Sequence, residues 1–291
     1  MSPTIAPPPS ARPRALANLA LASASLLLSI AGCASARFVL VRNTTRSPAV
    51  EIRQLHLQWS NVFLLRSNGA AMLVDTGSPG DWSSLVEALR HESLGPADLR
   101  VVVLTHGHAD HAGLAARLQR AGVPVVLGGR DAAMASRGHD DPLRATSLFA
   151  ASLRPLIDFP FTPFVPDVLV NRSMDLERYG IAGVRVEPWP GHTPGSVVLR
   201  VGTREAIVGD VMLGGVFGGV FVPGEAGEHY YQDDFARNHC NVSRLLDAGV
   251  ERFYVGHGGP IERASVLEWQ REWPLDSVRC RDDMAAPPNA E

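Results

Sequence analysis

The sequence contains no lysine, and all 27 of the basic side chains among its 291 residues are arginines. Lysine Schiff-base chemistry and phosphate binding by a P-loop lysine are therefore excluded. An excess of one charge sign is also lacking. Thirty acidic residues stand against the 27 arginines, for a net charge of −3. The arginines are scattered, so there is no basic footprint for nucleic acid, and the expected partner is a small molecule. The uncharged run from Ala15 to Gly32 falls short of the roughly 20 strongly apolar residues of a membrane span. No segment repeats at a fixed period. The 45% apolar content and mean hydropathy of +0.02 fit a globular chain near the upper size for one hydrophobic core, not a disordered one.

The first 32 residues differ in composition from the rest. Arg12 and Arg14 are their only charges, and the run that follows ends in Ile30-Ala31-Gly32-Cys33. This pattern reads as a signal peptide with a lipobox-like ending. It predicts a lipid anchor at Cys33 and a periplasmic place in the cell envelope, with a secreted protein as the alternative. Residues 33–50 read as a polar linker, 51–275 as the domain and 276–291 as a tail. Cys240 and Cys280 could pair in an oxidising compartment, but the sequence does not give their separation in space.

Within the domain, short apolar runs at 55–57, 61–66 and 70–75 read as strands, the last two joined by a hairpin at Asn68-Gly69. Trp82, Leu85, Val86 and Leu89 mark a helix with Asp81 as N-cap. Strands are expected at 101–104, 124–127, 184–187, 196–201, 205–208 and 252–255. Helices are expected at 113–120, 143–157, 234–248 and after Pro260. Strands alternating with helices give an α/β class. Residues 130–180 break the rhythm and read as an insertion or cap.

The chemistry concentrates at Thr105-His106-Gly107-His108-Ala109-Asp110-His111, just after a buried strand. In an extended loop His106, His108 and Asp110 project to one side, and His111 follows beside them. Imidazole nitrogen and carboxylate oxygen suit a borderline divalent ion such as zinc. A merely solvated cluster is the alternative. Three of the chain's ten histidines within six residues argue against it.

This motif resembles the His-x-His-x-Asp-His signature of the metallo-β-lactamase superfamily. Val74-Asp75-Thr76-Gly77, Gly191-His192-Thr193-Pro194-Gly195-Ser196, Val208-Gly209-Asp210 and Gly256-His257-Gly258 match its other motifs, in order and at strand ends. The resemblance covers roughly residues 51–270 and implies a four-layer αββα sandwich with metals at one edge. It assigns one ion to His106, His108 and His192, a second to Asp110, His111 and His257, and the bridge to Asp210. Asp110 and Asp210 are thereby catalytic, and Asp75 orients a ligand. The ions are expected to be zinc, with manganese or iron compatible. Two ions sharing a water lower its pKa from 15.7 towards about 7, supplying hydroxide.

Departures from the superfamily's branches narrow the reaction. β-Lactamase branches generally replace the bridging Asp, so Asp210 disfavours antibiotic hydrolysis. Nuclease branches add nucleic-acid arms, and flavodiiron proteins add a second domain. Ester, thioester or lactone hydrolysis remains, closer to the glyoxalase II and lactonase-like members. A non-catalytic metal-sensing lipoprotein and a mononuclear iron dioxygenase stand as alternatives. Phe217 and Phe221, in the glycine-rich run after Asp210, and His229, Tyr230 and Tyr231 are candidates for the substrate pocket. His56, His91, His139 and His239 lack a motif and read as surface or packing residues.

Overall fold

The computed structural model describes residues 39–41, 50–142, 144–272 and Cys280. The expected signal segment and Cys33 lie outside them. Among the described residues no helix is long and apolar enough to cross a membrane.

Seven strands form the first sheet in sequential order: β1 (Val39–Val41), β2 (Glu51–His56), β3 (Asn61–Ser67), β4 (Ala70–Val74), β5 (Leu99–Val103), β6 (Val125–Gly128) and β7 (Val168–Val170). β1 to β4 pair antiparallel. From β4 onward the pairing is parallel, because helices make the crossovers. These helices are α1 (Trp82–His91), α2 (Ala109–Ala112), α3 (Ala115–Arg120), α4 (Ala132–Arg137) and α5 (Leu148–Ile157). The second sheet takes β8 (Met174–Asp175), β9 (Val184–Pro188), β10 (Val197–Val201), β11 (Glu205–Gly209), β14 (Arg252–Val255) and β15 (Ile261–Glu262), in the order β15-β14-β11-β10-β9-β8. β12 (Leu213–Val216) and β13 (Phe221–Gly227) pair separately. Among the described residues two further helices follow, α6 (Phe235–Asp247) and α7 (Arg263–Arg271).

The alternation of side chains along each strand sorts the core into three apolar layers. Phe63, Leu65, Met72 and Val103 meet Val186, Leu199, Ile207 and Tyr254 between the sheets. Their sequence neighbours Leu64, Leu73 and Val102 face outward onto Leu85, Leu89 and Leu118 of the helices. On the far side Val198, Val208 and Phe253 pack under Val242, Leu245 and Trp269. The architecture is thus an αββα sandwich. Phe63 and Tyr254 meet edge to face across the sheets, with centroids 5.8 Å apart.

Several local expectations change. Asp81 stands at the start of α1, but its carboxylate accepts from the backbone N–H of Ser78 and caps no helical N–H. Ser147 accepts from the N–H of Ala150, so the helix expected from residue 143 starts at Leu148. The helix expected over 113–120 is α3, which starts at Ala115, and a separate short helix, α2, precedes it. The glycine-rich run expected as a loop forms the β12–β13 hairpin. Residues 130–180, expected as an insertion, supply an edge strand to each sheet, β7 and β8. Cys240 and Cys280 are joined as a disulfide, with Cα atoms 5.3 Å apart.

Candidate metal centre

The loops that follow β4, β5, β9, β11 and β14 open on one edge of the sandwich and carry every motif residue. Asp75 follows β4 with φ 63°, a left-handed conformation that Asp tolerates. This turn aims its buried carboxylate across the sheet edge. Oδ1 accepts from the N–H of Thr105 at 2.7 Å, Oδ2 accepts from the Thr105 hydroxyl at 2.8 Å, and Oδ2 lies 2.9 Å from Nδ1 of His111. The Thr105 hydroxyl has one proton and gives it to the carboxylate. Its oxygen therefore accepts from Nδ1 of His106 at 3.0 Å. One carboxylate thus holds two imidazoles with Nε2 facing inward.

Backbone carbonyls orient other rings. His192 Nδ1 donates to the carbonyl of Tyr231 at 2.9 Å, and His257 Nδ1 donates to that of Trp59 at 2.7 Å. The rings of His106, His108 and His192 meet edge to face, with centroids 4.6 to 4.9 Å apart. His192 Nε2 lies 3.1 Å from His108 Nδ1. Asp110, His111 and His257 form a second group, and one nitrogen or oxygen from each member lies within 4.8 Å of the others.

Asp210 lies between the two groups. Its Oδ2 is 3.8 Å from Nε2 of His106, 3.4 Å from His111, 3.6 Å from His192 and 3.3 Å from His257. His229 approaches closest, at 3.1 Å, with its ring centroid 4.7 Å from that of His192. Sequence reasoning put His229 in the substrate pocket and missed its contact with Asp210, since no motif marks it.

Burial and neighbouring imidazoles hold His106 and His192 well below the ordinary histidine range, and burial takes His108 down to about 4. These three rings are neutral and offer lone pairs. Burial also opposes charge on His111 and His257, but Asp210 and Asp110 outweigh it. His111 is held well above its ordinary value and His257 is raised to about 10. Burial would raise Asp210, yet the surrounding histidines hold it well below the carboxylate range.

Nε2 of His106, Nε2 of His111 and Oδ1 of Asp210 are buried and have no hydrogen-bond partner among the described residues. Leaving buried imidazole nitrogens unsatisfied is costly. Both nitrogens lie within 3.8 Å of Oδ2 of Asp210, and divalent cations held there would satisfy them, so the donor set fits a metal centre.

Two acidic residues escaped sequence reasoning. Asp131 accepts from the N–H groups of Gly107 and Gly195 and from the Thr193 hydroxyl, tying the first histidine loop to the His192 loop. Burial raises its pKa to about 6. Asp140 accepts from the N–H of Ala109, and burial beside Asp110 raises it to about 8. Neither stands in a recognisable motif.

Of the pocket candidates, Tyr230 lines a cleft beside the histidines. Its hydroxyl accepts from the N–H of Phe217 at 3.0 Å. Tyr231 also borders the cleft, but its hydroxyl donates to the Ala150 carbonyl at 2.5 Å and so faces α5 instead of a substrate. Phe217 is half-buried and Phe221 is 55% exposed. Their rings form an outer wall, with centroids 6.2 Å apart. His239 is buried beside Trp269 and Glu228.

A four-layer αββα fold with His and Asp groups at one sheet edge defines a class of metal-binding proteins. The family model of the metallo-β-lactamase superfamily matches residues 60–257, and the chain belongs to that family. It is 28% identical over 219 residues to a β-lactamase-like protein 2 homolog of Drosophila melanogaster, covering 71% of this chain and 61% of that one. It is 35% identical over 151 residues to a hydroxyacylglutathione hydrolase of Anaeromyxobacter dehalogenans, covering 52% and 45%. The chain thus spans about half the length of the curated relatives it matches. Among solved structures, a β-lactamase from Chitinophaga pinensis superposes with a TM-score of 0.55 at 16% identity, over 86% of this chain and 94% of that one. That likeness is one of fold.

Proposed function

We propose that the protein is a metal-dependent hydrolase that cleaves an ester, thioester or lactone in a small molecule. The observation that carries this reading is the position of Asp210, whose one oxygen faces both histidine groups. His106, His108 and His192 would hold one divalent ion, and Asp110, His111 and His257 a second. Asp210 would bridge them. Zinc is the ion favoured, since neutral imidazole and carboxylate are its usual nitrogen and oxygen donors. When bound, such a pair polarises a carbonyl and brings the pKa of a coordinated water to about 7.

The chain's own residues position this chemistry. Asp75 fixes His111 directly and His106 through Thr105, leaving Nε2 of each as the free donor. His229 and Tyr230, both on the cleft wall, face the space where a substrate carbonyl would sit. The hydroxyacylglutathione hydrolase relative supports thioesters among the three substrate classes.

The disulfide between Cys240 and Cys280 supports an oxidising compartment, in keeping with a periplasmic lipoprotein anchored at Cys33. The test is a chromogenic panel of thioesters, lactones, aryl esters, phosphodiesters and a cephalosporin, run with and without chelator. Chelator-sensitive turnover of an ester, thioester or lactone is expected. Chelator-resistant turnover would overturn the metal assignment, and a cephalosporin as best substrate would overturn the substrate class.

A further inference from the structure

We propose that the cleft beside the histidines continues into an apolar subsite that takes an uncharged aliphatic chain of the substrate. Its wall is built by Phe149 and Ile157 of α5 and by Phe217 and Phe221 of the β12–β13 hairpin. The inference rests on the hydrolase reading of the same site and names the kind of substrate it receives.

The cleft joins the histidines and carboxylates of the candidate metal centre to Ile157, Leu213, Gly218 and Tyr230. From Tyr230 a row of rings leads outward. Phe149 lies 5.9 Å from Tyr230, Phe217 lies 5.8 Å from Phe149, and Phe221 lies 6.2 Å from Phe217. The row is flanked by exposed Leu148, Val220 and Val222. Single exposed apolar residues are ordinary on any protein surface. Here they come from segments some 70 residues apart and form one surface that opens on the candidate metal centre, which is the pattern of a binding site.

The backbone of the hairpin points the same way. Phe217 has φ 54° and Val222 φ 45°, and a β-branched residue seldom adopts the left-handed region. Such strain persists only where the surroundings impose it, and it clusters at functional sites. The N–H of Gly214 donates to the carbonyl of His257 at 2.8 Å, and a Cβ on Gly219 would overlap the backbone of Gly258. The apolar wall and the His257 loop are therefore positioned by each other.

Charge decides what kind of chain fits. The chain has no lysine, and among the described residues no arginine lines the cleft. Its only carboxylates there are Asp110, Asp140 and Asp210. Arg154 of α5 acts on Tyr231 but does not line the cleft, so an anionic tail, such as that of a glutathione conjugate, would find no counter-charge on the cleft wall itself. Arg144 borders a separate groove on the other side of His108 and His192 and is engaged by Asp233 at 3.7 Å.

The test is calorimetric binding of butanoate, octanoate and decanoate to the metal-loaded full chain. Affinity should tighten about two- to fourfold per added methylene, as expected for burial against apolar side chains. The exchange of Phe149 and Phe221 together for Ser should flatten that series. Both side chains are exposed, so the fold does not depend on them. Equal affinity across the series overturns the subsite, and co-sedimentation with phosphatidylcholine vesicles in that case assigns the surface to membrane contact. A parallel series of aryl esters from acetyl to decanoyl separates this inference from the reading beneath it. Turnover that ignores chain length, or that favours a glutathione thioester, removes the subsite and leaves the hydrolase. Length-dependent binding without turnover of any ester, thioester or lactone removes the hydrolase and leaves the subsite.

Discussion

Oδ2 of Asp75 lies 2.9 Å from Nδ1 of His111, with both side chains fully buried, and this contact fixes which nitrogen of His111 faces the candidate metal centre. The same carboxylate reaches His106 through Thr105. In Asp75→Asn the amide can offer only one acceptor oxygen, and its NH2 would confront the donors it replaced. Metal affinity should fall about 10- to 100-fold, the usual effect of losing such a support. Stability should fall by about 1–3 kcal/mol from the unsatisfied buried groups. Competition with a chromophoric chelator and thermal melting measure the two effects. Unchanged affinity would mean that His111 needs no orienting partner.

Gly256 precedes His257 and leaves no room for a side chain. A Cβ there would overlap Oδ1 of Asp210 and stand 2.6 Å from Cε1 of His111. Gly256→Ala should therefore displace the carboxylate and lower metal loading even though no donor is removed. Metal analysis after dialysis checks this. Full loading would show that the loop can retreat without cost.

The raised pKa of His257 gives the metal-free protein a defined pH dependence. The folded value is about 10 against an ordinary 6.5, because pairing of the protonated ring with Asp210 and Asp110 outweighs the opposing effect of burial, and this pairing stabilises the fold. That stability is fully present below pH 6.5 and is lost as pH rises through 10. The melting temperature of metal-free protein should fall over this interval. Metal loading displaces those protons, so affinity for the ion should strengthen with rising pH. Melting curves across the pH range, with and without metal, test both signs.

His229 touches Asp210 and borders the cleft without belonging to any recognised motif. His229→Gln should lower kcat by about 100-fold or more, as loss of a hydrogen bond strengthened in the transition state does. Metal content should stay near that of the native protein. Loss of an ion in this variant would make His229 a ligand instead.

What could be read from the sequence and what could not divide along physical lines. His106, His108, Asp110 and His111 are legible because four donors fall within six positions, and the sandwich is what the family resemblance carried by the ordered motifs implies. Residues that act through the backbone left no trace. The carbonyls of Trp59 and Tyr231 orient His257 and His192, and any side chain could stand at those positions. Asp131 joins two loops separated by more than 80 residues, a relation that only the folded chain creates. The glycines of 214–219 read as a flexible loop, whereas pairing of Leu213 with Gly227 and of Val216 with Phe221 makes them a hairpin. Tyr231 resembled a pocket residue by its neighbours, yet its hydroxyl is directed to Ala150. Cys240 and Cys280 could be paired only once their Cα atoms were seen 5.3 Å apart.

The count of ions per chain tests the central claim most directly. Protein loaded with zinc and dialysed should retain about two equivalents, as a two-metal site requires. His192→Ala and His257→Ala should each reduce that number to about one or less, since each removes a donor from a different group. Retention of both ions by either variant, or of none by the native chain, would contradict the proposal that these distant side chains form one metal centre.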